Sequence, residues 1–168
     1  MSLKRLSVIA MLLCMSVVLS IVESFIPVFI PGVKLGLANV IILIMLYEFK
    51  IREAFAVDFL RILLAGLLRG TLLSPTFIMS LSGGMVSFAV MLLFSRIKVF
   101  SVIGVSVLGS VSHCTGQIIA AMWLLSADAV VYYLPFIAIL SVATGILSGI
   151  ICRIYLKRSI TRHFLDKN

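Results

Sequence analysis

Asp58, Arg61, Ala65 and Arg69 follow one another at intervals of three, four and four residues inside an otherwise apolar run. At 100° per residue that spacing keeps all four within about 80° of arc, on one face of a helix. Ionisable groups are costly in a hydrocarbon surround, so such a face turns inward. Asp58 and Arg61 stand three apart and can neutralise each other as an ion pair, which either locks the helices together or takes part in holding a ligand. A second polar face repeats the theme with Ser106, Ser110, His113 and Gln117. His113 and Gln117 can each donate and accept hydrogen bonds, to a neighbouring helix or to a guest.

Binding chemistry is thus available, and the means for catalysis are not. The six acids are Glu23, Glu48, Glu53, Asp58, Asp128 and Asp166. They form no aspartate-rich cluster of the kind that holds Mg²⁺ against a diphosphate. A phosphate-binding Gly-x-x-x-x-Gly-Lys-Ser/Thr loop is also absent from the sequence. Cys14, Cys114 and Cys152 are far apart and read as small packing residues. His113 and Cys114 are neighbours that point about 100° apart on a helix, a poor start for a metal site. The expectation is a non-enzyme with no catalytic residue, metal ligand or cofactor of its own.

The elements that position these faces follow from composition. Of 168 residues 62% are hydrophobic and 12% charged, with a mean hydropathy of +1.28. A soluble domain carries about twice that charge, so much of this chain faces lipid. Six apolar stretches, each near the ~20 residues that cross a bilayer, lie at about 6–22, 34–47, 54–68, 74–94, 99–125 and 129–155. The second is short and reads as broken or partly re-entrant. The whole chain, 1–168, reads as one transmembrane domain, and 156–168 as a basic cytoplasmic tail. If six spans alternate, 11 of the 14 Lys and Arg fall on one side, which the positive-inside rule assigns to the cytoplasm together with both termini. That clustering between apolar runs, with no recognisable nucleic-acid module, sets aside nucleic acid as the reason for a net charge of +8.

On this topology Lys34 and Arg69 face outward over a polar interior rich in small residues. That points to a small polar or anionic molecule entering from outside; snorkelling of both cations at the interface is the alternative. The loop from Glu23 to Lys34 holds Pro27, Pro31 and Gly32 and reads as a fixed outer cap. The site is expected in the outer half of the bundle, between that cap, the Arg69–Pro75 loop and the faces carrying Arg61 and His113. Lys34 or Arg69 would hold an anionic group and Asn39 and Gln117 would orient it. Stripes of small residues mark close helix packing: Ala10 and Cys14, Ser16 and Ser20, Ser80 with Gly83, Gly84 and Ser87, and Ser141 with Gly145, Ser148 and Gly149.

From Gly32-Val33-Lys34-Leu35-Gly36-Leu37-Ala38-Asn39 onward the sequence resembles a known family, the Gx transporter or heptaprenyl diphosphate synthase component I proteins. Arg61 with Ala65-Gly66-Leu67-Leu68, Gly70-Thr71, Ser74-Pro75, Ser80-Leu81-Ser82-Gly83-Gly84, Gly104-Val105-Ser106, Gly109, His113 and Gly116-Gln117 carry the likeness further. It departs at Cys114, where that family usually has Asn. The family is similar to the S components of energy-coupling factor transporters, six-helix proteins with both termini inside that capture vitamins or related micronutrients. The resemblance implies as partners a transmembrane T component and two cytoplasmic ATPases that use ATP. It also implies that the small-x-x-x-small pair Ala10 and Cys14 docks on the T component. The expected fold is therefore an all-α, six-span, S-component-like bundle in a bacterial cytoplasmic membrane. The expected function is the substrate-binding subunit of such a transporter. The alternatives are a non-catalytic membrane accessory subunit of polyprenyl diphosphate or quinone metabolism and a purely structural assembly subunit.

Overall fold

The computed structural model describes residues 3–25, 36–125 and 128–158. Six helices account for most of them: α1 (Leu3–Glu23), α2 (Asn39–Glu48), α3 (Ile51–Leu68), α4 (Pro75–Ser95), α5 (Val102–Leu125) and α6 (Leu134–Arg158). A 3-10 turn over Asp128–Tyr133 leads into α6, and the described residues contain no strand. Helices α1, α4 and α5 and the stretch Val131–Arg158 are each long and apolar enough to cross a membrane. The protein is an all-helical membrane protein. Helix α3 has 18 residues but carries Arg52, Glu53, Asp58 and Arg61. Helix α2 has 10 residues, about 15 Å of helix, or half of a ~30 Å hydrocarbon core.

Each of the six apolar stretches holds one helix, with corrections at several ends. The second helix begins at Asn39 rather than Lys34, because Gly36 at φ +87° has a backbone that a right-handed helix cannot contain. Residues 99–101 precede α5: Ser101 Oγ accepts from the N–H of Gly104 at 3.1 Å, the side-chain cap that starts a helix at the next residue. Residues 129–133 belong to the 3-10 turn, and α6 runs on to Arg158. The first three residues of the expected tail are thus helical, and 159–168 lie outside the described residues.

Helix α2 is apolar on every side, the pattern of a helix buried on every side. Val40 through Met45 are all buried, and α2 touches each of the other five helices. Around it, α4, α5 and α6 form a tightly packed row. A methyl group added at Gly145 would sit 2.7 Å from Val107 Cα, at Gly149 2.7 Å from Ile103 Cα, and at Gly116 3.1 Å from Gly83 Cα. The small-residue faces of α4 and α6 are therefore internal seams that let backbones meet. Ser82 Oγ donates to the Gly116 carbonyl at 2.9 Å and so bonds across one of them.

Helix α1 lies against α3 in parallel, tied at their amino ends by Arg5 and Glu53 at 2.7 Å. Ser16 and Ser20 of α1 are buried, while Ala10 and Cys14 are exposed on its outer side. Two apolar cores result. The larger surrounds α2 and includes Leu12, Phe88, Met91 and Cys152; the smaller joins α4, α5 and α6 through Met79, Cys114, Ile118 and Ile137. Between the two cores lies a polar layer.

Candidate functional site

The layer is built from one or two side chains per helix. Arg61, 3% exposed, donates from Nε to Asp58 Oδ1 at 2.7 Å and from Nη2 to Asn39 Oδ1 at 2.9 Å. Asn39 donates from Nδ2 to Ser87 Oγ at 3.0 Å, and Ser87 donates in turn to the Gly109 carbonyl at 2.8 Å. One continuous relay thus runs from α3 through α2 and α4 to α5. Its members are buried, and each bond is strong in so dry a setting because water cannot replace it. Next to it, His113 Nε2 and Gln117 Nε2 lie 3.1 Å apart on α5, on the same inward face as Ser106 and Ser110.

Helix α2 starts at this layer, and its approach is held by a residue of α1. The Glu23 carboxylate accepts from the N–H of Gly36 and, at 3.0 Å, from that of Leu37. It satisfies two donors ahead of the helix that would otherwise lack partners in the interior. Glu23 is 2% exposed. A methyl group at Gly36 would come within 3.1 Å of Asn39 Nδ2 and 3.7 Å of the His113 ring. Glycine thus lets the turn press against both polar side chains.

Ser20 and Glu23 of α1, Arg61 and Ile62 of α3, Ser80 of α4 and His113 of α5 line a small cavity with room for about one water molecule. Five of these six residues are polar. The chemistry on offer is hydrogen bonding and charge recognition. No group of three or more His, Cys, Asp or Glu that could hold a metal ion occurs among the described residues.

The structure thus brings Arg61 and His113 to one cavity, and places Asn39 and Gln117 one hydrogen bond behind them. Arg69 is elsewhere. It caps the carboxyl end of α3, half-buried, eight residues or about 12 Å along the helix from Arg61. Lys34 and most of the expected outer cap lie outside the described residues. The loop after Arg69 turns on Gly70 at φ +64° and Leu73 at φ +62°. Ser74 then caps α4 by accepting from Phe77 N–H at 3.3 Å. Sequence reasoning missed Glu23 as a site residue, and it read Ser20, Ser80 and Ser87 only as small packing groups. The available signal was a lone acid at the end of an apolar run.

A family model described as heptaprenyl diphosphate synthase component I matches residues 12–155. Neither a curated protein nor a solved structure matches the chain.

Proposed function

The chain belongs to the heptaprenyl diphosphate synthase component I family, and on that premise we propose that it is a substrate-binding membrane subunit of the S-component kind that serves energy-coupling factor transporters. The cavity at the head of α2 is the observation that carries the reading. It gathers polar side chains from four helices beside the buried Asp58–Arg61–Asn39–Ser87 relay, and buried polar groups at membrane depth mark ligand paths. It lies in the half of the bundle away from the basic helix ends, so a cytoplasmic placement of those ends, and of both termini, turns it outward. A bacterial cytoplasmic membrane suits this arrangement. The cavity's enclosed space holds about one water molecule, far less than the ~300–1,000 Å³ of ligand pockets, so a vitamin-sized guest requires the helices around it to part.

The guest is a small polar or anionic organic molecule. Arg61 reaches it as half of a neutralised pair and contributes hydrogen bonds more than net charge. Arg69, at the end of α3 beyond Arg61, adds positive charge on the outer side, as Lys34 does on the expected topology, and Asn39 and Gln117 orient polar groups. Energy comes from two cytoplasmic ATPases through a T component that docks on the exposed Ala10 and Cys14 of α1. Bulk there keeps backbones apart, so Ala10→Leu should reduce co-purification with the T component and leave ligand retention intact.

The test is mass spectrometry of small molecules retained by gently purified protein, followed by affinity measurements. Arg69→Ala and Gln117→Ala should each weaken binding of the retained compound by ~1 kcal/mol or more; wild-type affinity in both moves the site elsewhere. The family's description favours a second reading, a non-catalytic membrane accessory subunit in polyprenyl diphosphate or quinone metabolism. A retained polyprenyl lipid or a co-purifying prenyl synthase in the same experiment selects it.

A further inference from the structure

Four chain segments meet at one end of the bundle, and together they carry nine cations against two carboxylates, Glu48 and Glu53. Lys4 and Arg5 begin α1, Lys50 and Arg52 flank the α2–α3 junction, Arg96 and Lys98 occupy the α4–α5 turn, and Arg153, Lys157 and Arg158 close α6. That these segments share one end follows from contacts: Arg5 pairs with Glu53 and lies over the Phe49 ring, Gly149 abuts Ile103, and Tyr155, Phe94 and Val102 pack on the same core as Phe49. Among the described residues the other cations are Arg61, inside the bundle, and Arg69.

Apart from Arg5, every cation at this end is exposed, and none of these exposed cations has a carboxylate within ion-pair distance among the described residues. Each group also adjoins exposed apolar side chains: Leu3 beside Lys4, Ile51 beside Lys50, Val99 beside Lys98 and Ile154 beside Arg153. Charges that share a turn with lipid-facing residues stand at headgroup depth. At the opposite end Trp123 and Tyr132 are exposed together with leucines such as Leu68 and Leu73; Trp and Tyr are side chains that settle at a membrane interface.

We propose that the basic end binds anionic phospholipid headgroups of the leaflet it faces. An acidic protein partner would call for one contiguous patch. Here the cations are spread over every helix end, each seated on apolar surface, as fits a ring of lipids. The inference rests on charge and position alone and stands apart from the transport reading.

The full chain, purified in mild detergent, is mixed with equal amounts of phosphatidylglycerol and phosphatidylcholine, and the lipid retained after washing is quantified. Each cation near the headgroups favours an anionic lipid by about fivefold, so retention should favour phosphatidylglycerol by at least about fivefold at low salt. In 1 M NaCl, where the screening length falls to about 3 Å, most of that preference should disappear. The combined variant Arg96→Gln, Lys98→Gln, Arg153→Gln, Lys157→Gln should lose much of it, and Arg96→Lys with Arg153→Lys should keep it. Equal retention of the two lipids by the wild type overturns the proposal, as does a preference unchanged by salt or by the glutamine variant. Should the glutamine variant fail to fold, the salt series on the wild type decides alone. Binding of soluble poly-glutamate more tightly than phosphatidylglycerol vesicles also overturns it, in favour of an acidic protein partner.

Discussion

Arg61 is gripped on two sides, by Asp58 at 2.7 Å and by Asn39 at 2.9 Å, and the guanidinium has almost no exposure to compensate for a lost partner. Asp58→Ala strands a buried charge and should lower stability by about 3–5 kcal/mol. The double variant Asp58→Ala, Arg61→Met removes both charges and should recover most of that, with thermal unfolding in detergent as the measure. Glu23 offers a second contrast. Glu23→Ala withdraws the acceptor shared by Gly36 and Leu37 and should cost about 1–3 kcal/mol, whereas Glu23→Gln keeps a carbonyl oxygen in place and should cost less; equal losses would mean that the carboxylate's charge, not its acceptor, holds the turn. These two sites also differ in how far the sequence reveals them. The pairing of Asp58 with Arg61 is local, fixed by a spacing of three on a helix. Glu23 meets its partners thirteen and fourteen residues on, across a proline-containing segment with no periodicity to count along.

At the scale of elements, the seam between α5 and α6 is limited by backbone. A methyl group at Gly145 would lie 2.7 Å from Val107 Cα and 3.2 Å from the Ser106 carbonyl oxygen, and neither can yield unless a helix moves. Gly145→Ala should therefore cost about 1–3 kcal/mol. At Gly84 the close atom is Ile62 Cδ1, at 2.5 Å, the far end of a side chain that can rotate. Gly84→Ala should cost distinctly less in the same unfolding assay, and the reverse order would show that α4 and α3, not α5 and α6, form the tighter seam. Spacing of small residues announces such seams in the sequence but not which helix lies across them, because any backbone can approach a glycine. The ends of the helices are set by single residues, Gly36, Ser74 and Ser101, whose caps and turns a hydropathy profile averages away.

For the whole molecule, the division of positive charge predicts that reporter fusions at Lys167 and within residues 126–128 give opposite signals; one shared side would remove the six-span topology. Hydropathy discloses how many helices there are, since burial in lipid and burial in protein both select apolar residues. For the same reason it cannot tell a helix that faces lipid from one that never does, and α2 is of the second kind. That has a consequence for how the protein is made. Helix α2 emerges from the ribosome early, too short to anchor itself across the bilayer, while one of its neighbours, α6, is synthesised last. Until then only α1, α3, α4 and α5 shelter it, and the bundle closes around it only once α6 is made. A nascent chain that stops before Leu134 leaves α2 uncovered on one side, and quality-control proteases should clear it faster than the full-length protein in a pulse-chase experiment.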